Sequence, residues 1–349
     1  MDNERKKYII TYVDRKTGKI KTDRVEAFTN RNIFFIRRNQ GLFNYLYAKA
    51  QEILSTDVSS RYHTHYIKKR NGKLRRIDEP DEELKKFMRT VNHYFVDEYN
   101  FIFPSCIYAY VKDRSAIKAA RHLRGARQIV GLDIENFFGS CTLDIVMDSL
   151  VQVYPFCLFD PIQLETIVMA CTLYYDGDYR LPQGAPTSPL FSNLAMLPLD
   201  LFFKGNYNGY TRYADDLYFS IDEYTTFDYK SFVERMSKHL ERHGFKLNHE
   251  KSKCVRTRNG FVKVLGCSVG VSRISIGSKK KQVLKARIFS FLMDTKNGKL
   301  WSAKDVQSLQ GTISYCKCIE PDFVESIIKK YEEKTNVSYK QSVKTILYS

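Results

Sequence analysis

No apolar run in this chain approaches the length that spans a bilayer, and the amino terminus, MDNERKKYIITY, holds too short an apolar stretch for a signal peptide. A membrane role is not expected, and the cytoplasm is the expected location. The eight cysteines are scattered, and only Cys316 and Cys318 lie close together, at a spacing that fits neither a zinc ribbon nor a redox pair. Reduced thiols, mostly packed in the core, are expected instead. His63 and His65 form an H-x-H without further ligand residues nearby, too little for a metal site. Internal repeats, low-complexity tracts and long linkers are also missing, which leaves an ordinary globular chain. Acidic residues are in deficit: 39 Asp and Glu face 56 Lys and Arg, a formal charge of +17. That balance points to a polyanionic partner, and 24 Tyr and 23 Phe provide flat faces on which bases and sugars can pack.

What is present starts with YADDLYFS, Tyr213 to Ser220. Alternation from Tyr210 to Ala214 and from Leu217 to Ile221 predicts two short strands, with Asp215 and Asp216 at the turn between them. Adjacent carboxylates raise each other's cost of ionisation, and a bound divalent cation with oxygen ligands relieves it. Asp-Asp is also ordinary turn chemistry, so the neighbours decide. One is QIVGLDIENFFGS, an apolar run read as a buried strand ending on Asp133, 82 positions before Asp215. The two carboxylates meet if their strands are sheet neighbours. A second is RLPQGAPTSPLFSNLAMLPLDLFF, read as a tight loop from Pro182 to Pro186, a cap at Thr187 or Ser188, and one long helix to about Phe203. Gly184 there lets a backbone approach closely, as a nascent base pair would require.

The rest reads in order. Residues 1 to about 27 suggest a hairpin around Lys16, Thr17 and Gly18, followed by an amphipathic helix through LFNYLYAKAQEIL. YIKKRNGKLRRIDEP predicts a strand, an Asn-Gly turn and a strand, crowded with Lys68, Lys69, Arg70, Lys73, Arg75 and Arg76. This is either a solvated basic face or a finger whose cations clamp a triphosphate. A basic helix, AIKAARHLRG, precedes the Asp133 strand. Residues 142 to 174 read as helical throughout, as does Tyr229 to His243, stopped by Gly244. GFKLNHEKSKCVRT and GFVKVLGCSVG read as strands, the second bent at Gly266, and from Gly277 on the chain reads as basic helices with a boundary near residue 273.

The strand ending in Asp133 before FF, the loop LPQGAPTSP and the YADD hairpin, in that order, resemble the palm of prokaryotic retroelement reverse transcriptases. These include retron, group II intron and phage-defence enzymes. KKRNGKLRRIDEP, GFKLNHEKSK, Leu265-Gly266 and LQGTISY fall where that family has counterparts, so the resemblance covers most of the chain. It implies an α+β right-hand polymerase: an N-terminal hairpin and helix over 1–55, fingers over 56–130, an antiparallel palm sheet packed on helices over 131–272, with fingers helices at about 142–180, and a helical thumb over 273–349.

It also implies a chemistry. Two Mg²⁺ ions about 3.5–4 Å apart, for which Mn²⁺ can substitute, serve in-line phosphoryl transfer to a primer hydroxyl. Asp133 and Asp215 would bridge them with the Ile134 carbonyl as a further ligand and Asp216 in support. Lys69 and Arg75 would hold the dNTP triphosphate, Lys251 would donate a proton to departing pyrophosphate, and Gln183 and Gly184 would lie along the template pair. Phe138 falls where these enzymes place a ring under the incoming sugar, which favours deoxynucleotides. The expected partners are a cognate non-coding RNA template and a DNA/RNA hybrid product. A homo-oligomer is open, and the residues after the thumb leave no room for an RNase H or integrase domain, so dependence on host nucleases or an effector is expected.

Two segments depart from the retron pattern: Lys118-Ala119-Ala120-Arg121-His122 for N-A-x-x-H, and Val264-Leu265-Gly266 for V-T-G. They set an antiphage-defence or abortive-infection enzyme beside a retron enzyme that makes branched, RNA-linked DNA. Untemplated or protein-primed synthesis and a catalytically silent RNA-binding scaffold complete the alternatives.

Overall fold

The structure, a computed structural model, describes residues 7–13, 20–26, 30–68, 72–97, 103–153, 156–222, 227–257 and 260–348. It divides into two compact units. The first comprises residues 1–115, 130–219 and 223–254, and the second residues 116–129, 220–222 and 255–349.

The first unit opens with an antiparallel pair, β1 (Lys7–Val13) and β2 (Ile20–Glu26), whose expected turn at Lys16 to Gly18 lies outside the described residues. Helix α1 (Asn30–Leu54) buries Phe43, Leu46, Ala50 and Ile53 along one face, the spacing its sequence predicts. Strands β3 (Tyr62–Lys68) and β4 (Leu74–Pro80) pair antiparallel from Tyr62 opposite Pro80 to Lys68 opposite Leu74. Asp81 then caps α2 (Glu82–Asn92) by accepting from Leu84 N at 2.7 Å, and Leu84, Phe87, Met88 and Val91 form its buried stripe.

A short basic helix, α3 (Ala116–His122), belongs to the second unit and precedes β5 (Gln128–Glu135), which crosses from the second unit into the first. Then follow α4 (Phe137–Ser140), α5 (Leu143–Leu150) and α6 (Pro161–Met169), the last two capped by Thr142 and Asp160. Residues expected to continue this helical stretch instead form a hairpin of β6 (Leu173–Tyr175) and β7 (Asp178–Arg180). Its turn is Asp176-Gly177, both at positive φ, a pairing that favours a tight hairpin over another helical turn. The single long helix expected after the Pro182 loop is two, α7 (Ser188–Ala195) and α8 (Leu197–Asn206). Pro198 lacks the amide needed to continue the ladder, and the chain breaks at Met196.

The central sheet follows. Strands β8 (Tyr210–Tyr213) and β9 (Asp216–Ile221) form a hairpin, α9 (Tyr229–Glu241) packs after them behind an Asp228 cap, and β10 (Lys246–Leu247) and β11 (Lys253–Arg256) both return to β5. The order is β10-β5-β9-β8, with β11 also pairing β5. Phe203, Tyr210, Phe219 and Phe232 fill one side with edge-on and tilted ring contacts of 5.1–5.6 Å, which anchors β8 and β9 on α8 and α9.

In the second unit β12 (Val262–Val264), β13 (Cys267–Val269) and β14 (Ile274–Ser275) make a three-stranded antiparallel sheet bent at Leu265-Gly266. Four helices complete it: α10 (Ser278–Lys296), α11 (Ala303–Ile319), α12 (Pro321–Thr335) and α13 (Tyr339–Tyr348). All eight cysteines are free thiols, five of them buried. Among the described residues no helix is long and apolar enough to cross a membrane.

Candidate active site

Strand β5 is buried from Ile129 to Ile134, so its carboxylate at Asp133 emerges from an apolar run with only 8% of the residue exposed. Glycine at 131 admits the Tyr218 ring of β9, which would stand 3.3 Å from an added Cβ, and so lets the two strands pack closely. Being neighbours, β5 and β9 remove the 82-position separation between Asp133 and Asp215. Ile134 N donates to the Asp215 carbonyl at 3.0 Å, while Asn248 N donates to the Asp133 carbonyl at 2.8 Å from the other side. The hairpin closes on the pair Tyr213–Asp216, so the turn is Ala214-Asp215 and Asp216 starts the outgoing strand instead of sharing the tip. Ala214 sits at φ +56°, a left-handed conformation that costs a residue with a Cβ.

Asp133, Ile134, Phe138, Gln183, Asp215, Arg75 and Lys251 line one cleft of about 460 Å³. Asp216 and Gly184 are not among the residues that line it, and Lys69 lies outside the described residues. Phe138 is half-buried, with its ring 6.4 Å from that of Tyr110. Gln183 is fixed through its carbonyl, which accepts from Asp78 N at 2.8 Å. Gly184 adopts φ +133°, and a Cβ there would fall 2.8 Å from the Asp78 carbonyl oxygen. The backbone that closely approaches Gly184 in the structure is therefore that of β4.

The cleft concentrates negative charge. Burial pushes the Asp215 carboxyl above its ordinary range, with Asp133 adding and Lys251 and Arg75 opposing. Asp216 is pushed up to about 7 by burial, reinforced by Asp215 and Asp133. Lys251 answers part of this charge: its ammonium donates to both Asp133 oxygens, at 2.9 and 3.0 Å, and that bond raises its own pKa. Among the described residues no three His, Cys, Asp or Glu side chains form a ready metal-holding group, and both oxygens of Asp133 are engaged by Lys251. The donor chemistry still fits a hard divalent cation: converging carboxylates and a backbone carbonyl, under repulsion that such an ion relieves. His63 and His65 stack at 5.9 Å on β3 and join no such group.

Sequence reading missed a second layer. Arg212, on β8, is wholly buried against Asp200 of α8, and Tyr210 donates to the same carboxylate. The signal was a lone charge inside each of two apolar segments, YTRYA and LPLDLFF, which only the fold pairs. Tyr110, Asn136, Asn248 and Glu250 also line the cleft without having been anticipated.

The chain is similar to known proteins. The chain is 26% identical over 308 residues to the retron Ec83 reverse transcriptase of Escherichia coli, covering 83% of this chain and 93% of that one. It is 27% identical over 291 residues to the retron Mx65 reverse transcriptase of Myxococcus xanthus, covering 77% of this chain and 64% of that one. A foamy viral protease-reverse transcriptase solved with double-stranded DNA aligns at 17% identity and a TM-score of 0.44, over 82% of this chain and 43% of the viral chain. The profile described as reverse transcriptase (RNA-dependent DNA polymerase) matches residues 67–283, more than half of the chain and all of the cleft segments from Lys73 to Lys251. The chain belongs to the reverse transcriptase family.

Proposed function

We propose that this RNA-directed DNA polymerase copies a cognate non-coding RNA into DNA in antiphage defence, with Asp133, Asp215 and Asp216 as its catalytic carboxylates. What supports the reading most is the hydrogen bond from Ile134 N to the Asp215 carbonyl, which joins the two carboxylate-bearing segments beside a cleft of nucleotide size. Reverse transcriptases use divalent metal ions. Asp133, Asp215 and the Ile134 carbonyl would hold two Mg²⁺, with Asp216 in support and Mn²⁺ able to substitute; when bound they supply charge neutralisation and a more nucleophilic primer hydroxyl. Arg75 and Lys73 present cations to the triphosphate from the β4 side of the cleft, a role that Lys69 would share. Phe138 puts a bulky ring where a ribose 2′-hydroxyl would need space, which selects deoxynucleotides. Gln183, fixed by β4, is a template-pair contact, and Gly184 holds the loop close to β4. Lys251 serves pyrophosphate departure as a proton donor.

Residues 56–130 and about 142–180 act as fingers, 131–272 as palm and 273–349 as thumb in this reading, with 1–55 as an N-terminal extension. The retron enzymes among its relatives favour one form of the activity: priming from an RNA 2′-hydroxyl, which leaves a branched RNA–DNA junction.

The test is purified protein with its copurifying RNA, labelled dNTPs and either Mg²⁺ or EDTA. Incorporation that needs the metal and disappears in the Asp215→Ala/Asp216→Ala double variant is expected, and incorporation that survives the double change would refute the assignment. Product joined to RNA at a ribonuclease-resistant junction identifies the retron form. Label attached to a Tyr or Ser, with no added template, identifies protein priming.

A further inference from the structure

Arg212 and Asp200 form an ion pair in which neither side chain is exposed. Arg212 Nη2 lies 2.6 Å from Asp200 Oδ2 and Nε 2.8 Å from Oδ1, and Tyr210 Oη donates to Oδ1 at 2.7 Å. An ion pair so fully removed from water is weak evidence for stability, because an apolar set of similar volume commonly stabilises a core as well or better. What an apolar set cannot supply is the guanidinium's remaining arm. Nη1 donates to the Ala214 carbonyl at 3.1 Å.

That carbonyl belongs to the peptide joining Ala214 to Asp215. Ala214 is left-handed at φ +56°, so the turn peptide sits in a conformation that it would leave if nothing held it. On the far side of Asp215, its own carbonyl accepts from Ile134 N at 3.0 Å. The two peptide planes flanking the Asp215 Cα are thus each pinned, one to Arg212 and one to β5. Arg212 is itself fixed at its base, since its N–H donates to the Cys106 carbonyl at 2.8 Å and its carbonyl accepts from Tyr108 N at 2.9 Å.

We propose that Arg212 is a positioning residue that, anchored on Asp200, fixes the Ala214–Asp215 peptide and so aims the Asp215 carboxylate toward Asp133. It rests on the assignment of Asp215 as a catalytic carboxylate. Arginine is required because lysine, a point charge, can satisfy Asp200 but has no second arm for Ala214.

The experiment compares Arg212→Lys and the volume-matched pair Asp200→Leu/Arg212→Met with wild type. Thermal melting, Mn²⁺ binding followed by electron paramagnetic resonance without nucleotide, and kcat and KM for dNTP on a primed RNA template are measured. Arg212→Lys is expected to melt within a few degrees of wild type, yet to lose about 10²-fold in kcat and roughly tenfold in Mn²⁺ affinity, with KM for dNTP little changed. The apolar pair is expected to show the same losses in a folded protein. Wild-type kcat and Mn²⁺ affinity in either folded variant overturns the proposal, and failure of both variants to fold overturns it too, by making the pair a stability device. Asp215→Ala is the control: an active Asp215→Ala removes the site assignment itself, whereas an inactive one beside an unimpaired Arg212→Lys removes only the role of Arg212.

Discussion

If Asp133 holds a divalent cation as proposed, that cation and the Lys251 ammonium compete for the same two oxygens. Lys251 Nζ stands 2.9 and 3.0 Å from them, and its side chain is 59% exposed, so solvent screens the pair. A pair of that kind contributes about 0–1 kcal/mol, enough to hold the carboxylate and little enough for an entering cation to displace. Lys251→Ala is therefore expected to bind Mn²⁺ more tightly in the absence of nucleotide, by up to about fivefold. It is also expected to incorporate dNTP more slowly, by about 10²-fold for a lost general acid. Mn²⁺ titration of the resting protein reads the first effect, and weaker binding in the alanine variant would remove the competition. The hairpin that carries Asp215 and Asp216 was readable, because alternating residues flank the two adjacent carboxylates. Arg212 and Asp200 were not readable, because a single charge in an apolar run looks like an exposed position until folding supplies its partner. Gly184 was readable as a close approach, but the approaching group comes from β4, more than a hundred positions earlier.

At the scale of elements, breaks and turns carry the surprises. The hairpin at Asp176-Gly177 begins at the end of an apolar stretch whose spacing suits a helix, and the Asp-Gly pair was the available signal. Within the helical stretch that follows Gly277, a break falls between α11 and α12, where Pro321 begins a new helix. Glu320, at that break, accepts from Ser275 Oγ and from Ile276 N at 2.8 Å each and pairs with Lys281 at 2.6 Å, tying β14 and α10 to the α11–α12 junction. Burial raises its pKa, but Lys281, Ile276 N and Ser275 outweigh burial and the carboxyl ends below its ordinary value. A depressed carboxylate contributes stability above the unfolded pKa of about 4.3, and that contribution is lost as pH falls through the lower folded value. Glu320→Gln should cost about 1–3 kcal/mol at pH 7, and the gap to wild type should narrow on acidification to about pH 3. Urea unfolding at the two pH values measures this, and a gap of equal size at both would exclude the ionised carboxylate as its source.

For the whole molecule, the charge of +17 was visible at once, whereas the long-range pairings within the second unit were not. Residues 116–129 join the second unit because α3 packs on β13 and because Thr257 N donates to the Arg127 carbonyl at 2.8 Å, partners more than a hundred positions away. Such pairings leave no periodic trace in either segment. The excess charge makes nucleic-acid binding by a reverse transcriptase depend on counterion release, so affinity should fall linearly with salt on logarithmic axes, by about 0.9 per phosphate neutralised. In the second unit, Lys279, Lys280 and Arg287 line a groove of about 690 Å³ along α10 and α11. Lys280 is committed to the Gly266 carbonyl at 2.9 Å and to the Tyr315 ring, whereas Arg287 donates only to the neutral hydroxyls of Thr312 and Ser308, at 3.3 Å each, so Lys279 and Arg287 are the better candidates for phosphate. The Lys279→Ala/Arg287→Ala pair should therefore reduce the salt slope for an RNA/DNA hybrid by roughly 2, and weaken binding to unrelated sequences equally. Fluorescence anisotropy between about 50 and 200 mM KCl reads both quantities. An unchanged slope would remove this groove from the nucleic-acid interface. A loss confined to one sequence would mean that these cations read bases, which contacts to phosphate alone do not.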